Sequence, residues 1–259
     1  MSMQGLKVLV TRPAGQADNL IAAISDAGGQ AWHQPVLAIE SLAENDQARR
    51  QHCKQRILDL DLYQQVIFIS TNAVAFGVDW IEQYWPQLPV GVQWHAIGAA
   101  TACAMRAAGL SVCEQGDIAM NSEELLSSLA LQSVSGQKVL IVRGVGGREY
   151  LAQQLQRRGA LVDYIECYQR VLPSLQHNQM VQLLDQYEIN VISVNSGESL
   201  ENFCQLVGPT ALERCFTLAV LVPGERVAEL ARQRGFERII VARNASQVAT
   251  LAALNSYQH

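Results

Sequence analysis

Short apolar runs alternate with amphipathic segments along the whole chain. The first run covers residues 6–10, and similar runs begin at Val66, Trp94, Val191 and Ile239. Runs of this length and composition are typical of strands that are covered on both faces. A helix is predicted after the first run, because its apolar positions fall on one face before a glycine pair: Ala17, Leu20, Ile21, Ile24 and Ala27. The pattern predicts parallel sheets with helices on both faces.

An internal repeat organises these elements. Residues 138–173 repeat the order of parts in residues 7–40: a strand, a turn with an arginine, a helix, a glycine stop and another strand. A shift of 138 − 7 = 131 positions places Arg12 on Arg143, and a shift of 196 − 70 = 126 places Ser70 on Ser196. Each half therefore has a β-α-β-α-β-α pattern, although the halves need not be the domains. Extended segments beside Pro35 and Pro173, at matching places in the two repeats, are predicted to cross between two lobes.

Composition limits the possible partners. The 259 residues are 49% hydrophobic and 17% charged, which is typical of one large domain or two smaller ones. A net charge of −5 argues against nucleic acid as the main partner, but an anionic small molecule needs only a few local donors. The first residues lead directly into a strand, and no apolar run approaches the length of a membrane span. We therefore expect a cytoplasmic protein that does not bind membranes.

The cysteines and histidines do not suggest a disulfide framework or a metal site. The six cysteines include no C-x-x-C pair, and five of them lie in apolar patterns, so we expect buried, reduced thiols. The histidines have no metal-ligand spacing. They are His33, His52, His95, His177 and His259.

Polar residues and glycines follow the predicted strands directly. In open parallel sheets, ligands bind at these strand ends, where helix N-termini present free N–H groups. Two facing lobes would form a cleft lined with backbone amides and hydroxyls, which suits several carboxylates. The candidates from the strand ends are Arg12, Ser70, Thr71, Asn72, Gly98, Thr101, Arg143, Gly144, Ser196, Gly197 and Gly224.

Each candidate also has a structural explanation. Ser70, Asn72 and Ser196 could be ordinary helix caps, and Thr101 could bond its own backbone. Residues 143–147 open a helix after a strand but fit neither the dinucleotide nor the P-loop pattern. Neither a Ser/His/Asp constellation nor a nucleophile elbow nor a close carboxylate pair occurs. On residues alone, a binding protein and an enzyme that works by holding its substrate stay equally open.

Six segments taken together resemble one family. They are KVLVTRP (7–13), FISTNAV (68–74), AIGAATA (96–102), CYQRVLP (167–173), NSGESL (195–200) and GERVAELA (224–231). In this order and spacing they resemble the uroporphyrinogen-III synthases over essentially the whole chain. The resemblance implies an α/β fold of two flavodoxin-like lobes with parallel sheets, joined by a two-stranded β-ladder. Lobe 1 would contain residues 1–36 and 173–259, and lobe 2 residues 37–172.

The resemblance also implies a lyase of haem-type tetrapyrrole and porphyrin biosynthesis. Members cyclise linear hydroxymethylbilane to uroporphyrinogen III, with loss of water and inversion of ring D through a spiro intermediate. The bilane closes unaided to the unrearranged isomer, so the enzyme mainly controls geometry. No cofactor and no metal are implied. We also expect a monomer, with possible transient hand-over of substrate from the bilane-producing enzyme. The alternative is a non-catalytic tetrapyrrole- or anion-binding module.

Residue roles follow from the family motifs. Tyr168 matches the tyrosine after the lobe crossing and would assist departure of the substrate hydroxyl. Thr101 would bind substrate, and Arg12 and Arg143 would meet carboxylates. Ser70, Asn72 and Ser196 match the family's polar turns at the strand ends. Where some members have a threonine pair, this chain has Glu225 and Arg226 after Gly224. We therefore expect only a backbone contact at Gly224.

Overall fold

The computed structural model describes residues 3–113, 119–176 and 178–257. The chain divides into two compact units, which we call unit 1 (Met1–Ala38 with Val171–His259) and unit 2 (Ile39–Arg170). Each unit contains one five-stranded sheet. Within the described residues, no helix combines the length and apolar character that a membrane span requires.

The secondary structure alternates between strands and helices. The strands are β1 (Lys7–Val10), β2 (Gln30–His33), β3 (Ala38–Ser41), β4 (Gln65–Phe68), β5 (Gln93–Ala96), β6 (Lys138–Gly144), β7 (Leu161–Val171), β8 (Val191–Ser193), β9 (Ala219–Val222) and β10 (Arg238–Val241). The helices are α1 (Asp18–Asp26), α2 (Gln47–Leu58), α3 (Thr71–Tyr84), α4 (Ala99–Ala107), α5 (Ser122–Ser127), α6 (Leu129–Gln132), α7 (Tyr150–Arg157), α8 (Gln179–Gln186), α9 (Gly197–Val207), α10 (Pro209–Cys215), α11 (Glu225–Arg234) and α12 (Gln247–Ser256). A short 3-10 helix covers Leu60–Leu62.

The two sheets have the same strand order once the repeat is taken into account. In unit 1 the order is β2-β1-β8-β9-β10, and all of its neighbouring strands are parallel. In unit 2 the order is β3-β7-β6-β4-β5, with parallel pairing from β7 to β5. The repeat matches β6 and β7 to β1 and β2, and β4 and β5 to β8 and β9. Unit 2 is thus a permuted copy of unit 1. Unit 1 has the flavodoxin-like order 2-1-3-4-5, and the four matched strands of unit 2 have the order 2-1-3-4.

This architecture confirms the predicted α/β class with two parallel sheets. In unit 2 the place of the fifth strand is taken by a single parallel bridge between Trp94 and Val112. β3 lies beside β7 at the opposite edge. The two-stranded ladder that would join the lobes stays a prediction.

Apolar side chains cover both faces of each sheet, as the continuous apolar runs predict. In β4, Val66 and Phe68 belong to one buried cluster and Ile67 to another. In β1, Leu9 faces one cluster, whereas Val8 and Val10 face a second one. Alternate residues of a strand point to opposite faces, so a strand buried on both sides needs apolar residues at every position.

Capping side chains explain where the helices begin. α3 begins at Thr71, because the Ser70 side chain accepts a hydrogen bond from the Ala73 amide. α2 begins at Gln47, because the Asp46 side chain accepts from the Arg49 amide.

All six cysteines are free thiols. Cys53, Cys167, Cys204 and Cys215 are buried, whereas Cys103 is exposed on α4. The expectation of burial is therefore correct for these four residues and wrong for Cys103. The Ala-rich composition of α4 does not distinguish its buried face from its exposed face.

A buried histidine in unit 2 should make stability depend on pH. The Nε2 atom of His95 lies 2.7 Å from Oε1 of Gln65, whose own amide donates to Gln137. Burial lowers the pKa of His95 to about 4. Because this value is below the value of about 6.5 in the unfolded chain, the contribution of neutral His95 is present above pH 6.5 and is lost as the pH falls toward 4.

We expect wild-type protein to lose on the order of 2 kcal/mol more unfolding free energy than His95→Gln between pH 7 and pH 4.5. Glutamine retains an amide donor for Gln65 but does not titrate. Urea unfolding of both proteins at the two pH values measures the difference. Parallel losses in the two proteins would show that His95 does not stay neutral in the folded state.

Candidate functional site

The carboxyl ends of the parallel strands in unit 2 bring several predicted residues to one edge of the sheet. Ser70 follows β4, Gly98 follows β5, and Gly144 ends β6. β4 and β6 are adjacent and parallel, and the strand order reverses between them. In flavodoxin-like sheets, ligands bind at such a reversal point. Ser70 and Gly144 are therefore placed where a ligand is expected.

Tyr168 reaches the same edge because of an irregularity in β7. β6 and β7 pair in register up to Arg143 and Glu166, and the register then shifts, so that Gly144 is opposite Tyr168. Such a bulge re-aims a side chain. Tyr168 is only 3% exposed, and its hydroxyl lies 3.1 Å from Oγ of Ser70.

The ring of Tyr168 is held on two sides. It stacks on Phe76, with 5.6 Å between the ring centroids. On the other side it lies against Gly144, where an added Cβ would come within 2.5 Å of Cε2. Since Ser70 also caps α3, the phenol hydroxyl is tied to a fixed helix terminus. The packing thus fixes both the ring and its hydroxyl.

A cavity of about 590 Å³ lies at this edge within unit 2. Tyr168 and the turn at residues 143–148 line it, together with Tyr164 and Arg170. The residues that contact this space but were not predicted are Ile69, Ile97, Asn121, Ser122, Glu123, Ile141, Val145, Gly146, Gly147, Arg148, Tyr150, Leu151, Ala152, Tyr164 and Arg170. Of these, Gly146 and Gly147 lie in the turn at residues 143–147 that the sequence analysis singles out.

Arg143 is a buried part of the cavity wall. Its side chain is 2% exposed, and Nη1 donates to Oε1 of Glu149 at 3.0 Å. Nη2 donates to the Gly146 carbonyl, Nε donates to the Gly144 carbonyl at 3.3 Å, and the guanidinium lies 4.7 Å from the centroid of the Tyr164 ring. Each nitrogen of the side chain thus has a partner within the protein, and the predicted contact with a substrate carboxylate stays a prediction.

Glu149 and Tyr164 complete this group. The Tyr164 hydroxyl donates to Oε2 of Glu149. Burial, together with the hydrogen bond to Glu149, raises the pKa of Tyr164 to about 12. The hydrogen bond from Tyr164 and the contact with Arg143 lower the pKa of Glu149. Tyr164 therefore stays protonated and Glu149 stays ionised near neutral pH.

The other candidates of unit 2 lie near the helix N-termini. Thr71 is exposed and Asn72 half-buried in the first turn of α3. Gly98 has φ +91°, and its amide donates to the Ala119 carbonyl at 2.7 Å. Thr101 is 4% exposed in the first turn of α4.

Unit 1 carries its own candidates at equivalent strand ends. Nη2 of Arg12 donates to the Ala245 carbonyl at 2.9 Å, and burial lowers the pKa of this guanidinium. Ser196 caps α9 through the Ser199 amide, and Gly197 begins that helix. Gly224 has φ +153° before α11, a backbone conformation that favours glycine.

Over residues 3–113, 119–176 and 178–257, no three His, Cys, Asp or Glu side chains lie together as metal ligands would. His177 and His259 lie outside the described residues. The absence of a metal or cofactor stays a prediction.

Comparison with known proteins agrees with this geometry. Residues 18–252 match the family described as "Uroporphyrinogen-III synthase HemD". Uroporphyrinogen-III synthase of Escherichia coli is 33% identical over 254 residues, which cover 96% of this chain and 100% of the relative. The corresponding protein of Salmonella typhimurium is also 33% identical with the same coverage.

Solved structures share the fold. Uroporphyrinogen-III synthetase from Helicobacter pylori has a TM-score of 0.62 at 14% identity, covering 98% of this chain and 100% of that one. A mutant uroporphyrinogen III synthase from Thermus thermophilus has a TM-score of 0.56 at 18% identity, covering 97% and 100%.

Paired parallel sheets with polar turns at their carboxyl ends, together with these matches, define a lyase of tetrapyrrole biosynthesis. The chain belongs to the uroporphyrinogen-III synthase family, whose members cyclise hydroxymethylbilane. The resemblance predicted from the six sequence segments is thereby confirmed.

Proposed function

We propose that the protein cyclises hydroxymethylbilane to uroporphyrinogen III, with Tyr168 assisting the departure of the hydroxyl group. One observation carries this assignment of roles: the Tyr168 hydroxyl is fixed by Ser70 at the strand ends of unit 2, and Tyr168 lines the cavity there. A phenol hydroxyl is a hydrogen-bond donor and can act as a general acid toward a leaving hydroxyl group.

The reaction begins at the hydroxymethyl group of the substrate. The lone pair of the pyrrole nitrogen expels the hydroxyl, which leaves as water with a proton donated by Tyr168, and a cationic azafulvene remains. The already substituted carbon of ring D attacks the methylene carbon of the azafulvene and forms the spiro intermediate. The bond that first joined this ring D carbon to the bilane then breaks. The other, unsubstituted carbon of ring D attacks the fragment that is released, so the macrocycle closes with ring D inverted. Loss of a proton restores the aromatic pyrrole, and Tyr168 is reprotonated from solvent.

Ser70 orients the phenol during the first step. Its Oγ accepts the Ala73 amide proton at 3.0 Å and lies 3.1 Å from the Tyr168 hydroxyl. The hydroxyl proton of Tyr168 can therefore bond either Ser70 or the leaving group, with little movement of the ring. This arrangement provides modest acid assistance, at the lower end of the range of about 10²- to 10⁴-fold that is typical of a positioned acid.

Geometry has to supply the rest of the selectivity. A bound bilane with restricted rotation reaches the spiro geometry more often than a free chain. The cavity of about 590 Å³ is within the usual size for a drug-sized ligand of about 300 to 1,000 Å³, so it takes part of the bilane and not all of its rings. The guanidinium of Arg148, which lines the cavity, is suited to its acetate and propionate groups.

The remaining roles are part of the same proposal. Thr101, Gly98, Thr71 and Asn72 would bind carboxylates through hydroxyls and amides of the α3 and α4 N-termini. Arg12, Ser196, Gly197 and Gly224 would do so in unit 1. We further propose that the protein works as a cytoplasmic monomer and receives the bilane from the enzyme that makes it. Sedimentation equilibrium across the working concentration range tests the oligomeric state.

Incubating the protein with freshly made hydroxymethylbilane tests the reaction directly. After oxidation, the type I and type III isomers are separated and counted against a sample without protein. We expect type III to predominate with the protein and type I without it. A product composed of type I alone, with the protein still binding the bilane, would indicate the alternative of a non-catalytic binding module.

A further inference from the structure

In the glycine turn that lines the cavity, both the amide and the carbonyl of Gly146 are hydrogen-bonded to side chains. Gly146 and Gly147 have φ of +74° and +107°, which makes this turn unsuitable for other residues. The Gly146 carbonyl accepts from Arg143, and the Gly146 amide donates to Oε1 of Glu166 at 3.1 Å. Because the turn is exposed, we expect these two bonds of Gly146 to restrict its backbone conformation.

Glu166 joins the turn to a helix on the side of the sheet. Its Oε2 accepts from Nε of Arg49 in α2 at 3.3 Å, and its Oε1 lies 3.9 Å from Nε of Arg143. Glu166 precedes Tyr168 by two residues on the same strand, at the last pair before the register shift. One carboxylate therefore connects the turn, the buried arginine and the strand segment that carries the phenol.

The two copies of the internal repeat differ at the positions of Glu166 and Tyr168. The pairs Lys7–Gln30 and Lys138–Leu161 have the same register, so a shift of 138 − 7 = 131 applies to β2 and β7. Under this shift, Pro35 occupies the place of Glu166 and Leu37 that of Tyr168. Unit 1 has neither side chain, and its β2 ends at His33, before Pro35 is reached. The carboxylate is thus present in the copy that has the phenol.

We propose that Glu166 is a positioning residue for the cyclisation. It fixes the glycine turn against the bound bilane and holds the adjoining strand so that the Tyr168 hydroxyl stays at the cavity. This inference rests on the proposed function. It assigns to Glu166 the preorganisation of the glycine turn that forms part of the cavity wall, a role that the sequence motifs do not indicate.

Asp163 offers a matched control on the same strand. It too pairs with an arginine of α2, since Oδ1 lies 3.2 Å from Nη2 of Arg56, and its Oδ2 accepts from the Tyr63 hydroxyl at 2.8 Å. The two carboxylates are similarly exposed, 26% for Asp163 and 28% for Glu166. Of these two carboxylates, Glu166 is the one that accepts from the turn, through the Gly146 amide. A role limited to holding α2 on the sheet would affect both sites alike.

The test compares Glu166→Ala, Glu166→Gln and Asp163→Asn. We expect Glu166→Ala to lower kcat/KM for type III formation by about tenfold to a hundredfold, mainly through KM, because a misplacement of about 1 Å has effects of this size. Glutamine keeps an oxygen that accepts from the Gly146 amide, so Glu166→Gln should recover most of the activity. Asp163→Asn should keep wild-type kcat/KM. Hydrogen exchange of residues 143–149 should rise only in Glu166→Ala.

Two results would overturn the proposal. One is wild-type kcat/KM, type III fraction and hydrogen exchange in Glu166→Ala. The other is an equal loss in Asp163→Asn, which would indicate a general role in stability. Failure of the proposed function is separate, because it would show as absence of type III product in the wild-type protein, and the exchange measurement still tests the turn in that case.

Discussion

Replacement of Tyr168 by phenylalanine is expected to lower the rate of type III formation by about one to two orders of magnitude with the fold intact. The substitution removes only the hydroxyl, which lies 3.1 Å from Ser70, and keeps the stacking on Phe76. The remaining rate reflects the part of catalysis that comes from holding the bilane. The measurement is single-turnover formation of type III product, with the type I product as an internal reference.

Tyr63→Phe is the matched control for the loss of a buried phenol. Tyr63 is 2% exposed in the same unit, and its hydroxyl donates to Asp163 at 2.8 Å, away from the cavity. Removal of this hydrogen bond should lower stability by about 1 kcal/mol and leave the rate of type III formation unchanged. If Tyr168→Phe turned over like the wild type, Tyr168 would have no part in proton transfer.

The repeat explains why so much of the fold could be predicted from the sequence. Continuous apolar runs such as the one that contains Val66 can be covered only between two helical layers, and the period of each amphipathic segment then places the helices. The match between Ser70 and Ser196 correctly aligned β4 with β8, since both serines cap the helix that follows. Local chemistry determines such features, so a single sequence contains them.

The site depends on contacts that local patterns do not encode. The register shift between Arg143 and Gly144 brings Tyr168 opposite Gly144, and no periodicity indicates where a bulge occurs. The equivalence of Arg12 and Arg143 suggested similar anion contacts. Their surroundings differ, because Arg143 is enclosed by Glu149 and the Tyr164 ring whereas Arg12 bonds a backbone carbonyl of unit 1.

The residues that bond the glycine turn could not be predicted either, because they are far from it in the sequence. Glu166 is twenty positions from Gly146 and more than a hundred from Arg49. Only the pairing of β6 with β7 and the packing of α2 bring these groups together. A comparison of the two repeats could have signalled Glu166, because the equivalent residue in the first copy is Pro35.

Gly144→Ala should lower the rate of type III formation at least as far as Tyr168→Phe does, by about a hundredfold. Its backbone φ is one that alanine adopts without strain, so the effect must come from the added methyl group. That Cβ would lie 2.5 Å from Cε2 and 2.6 Å from Cζ of Tyr168. Phe76 stacks on the ring, and Ser70 bonds the hydroxyl. The phenol therefore cannot avoid the methyl group without leaving its position.

Gly77→Ala separates this effect from overpacking. A Cβ at Gly77 would lie 2.7 Å from Cγ1 of Val142 and 3.0 Å from Cε1 of Phe68, so both glycine variants should lose about 1 to 3 kcal/mol of stability. Only Gly144→Ala should lower the rate of type III formation. In the Tyr168→Phe background, Gly144→Ala should lower the rate little further, because the hydroxyl that it misplaces is already gone. Rate losses that follow stability equally in both glycine variants would instead show that Gly144 acts through packing alone.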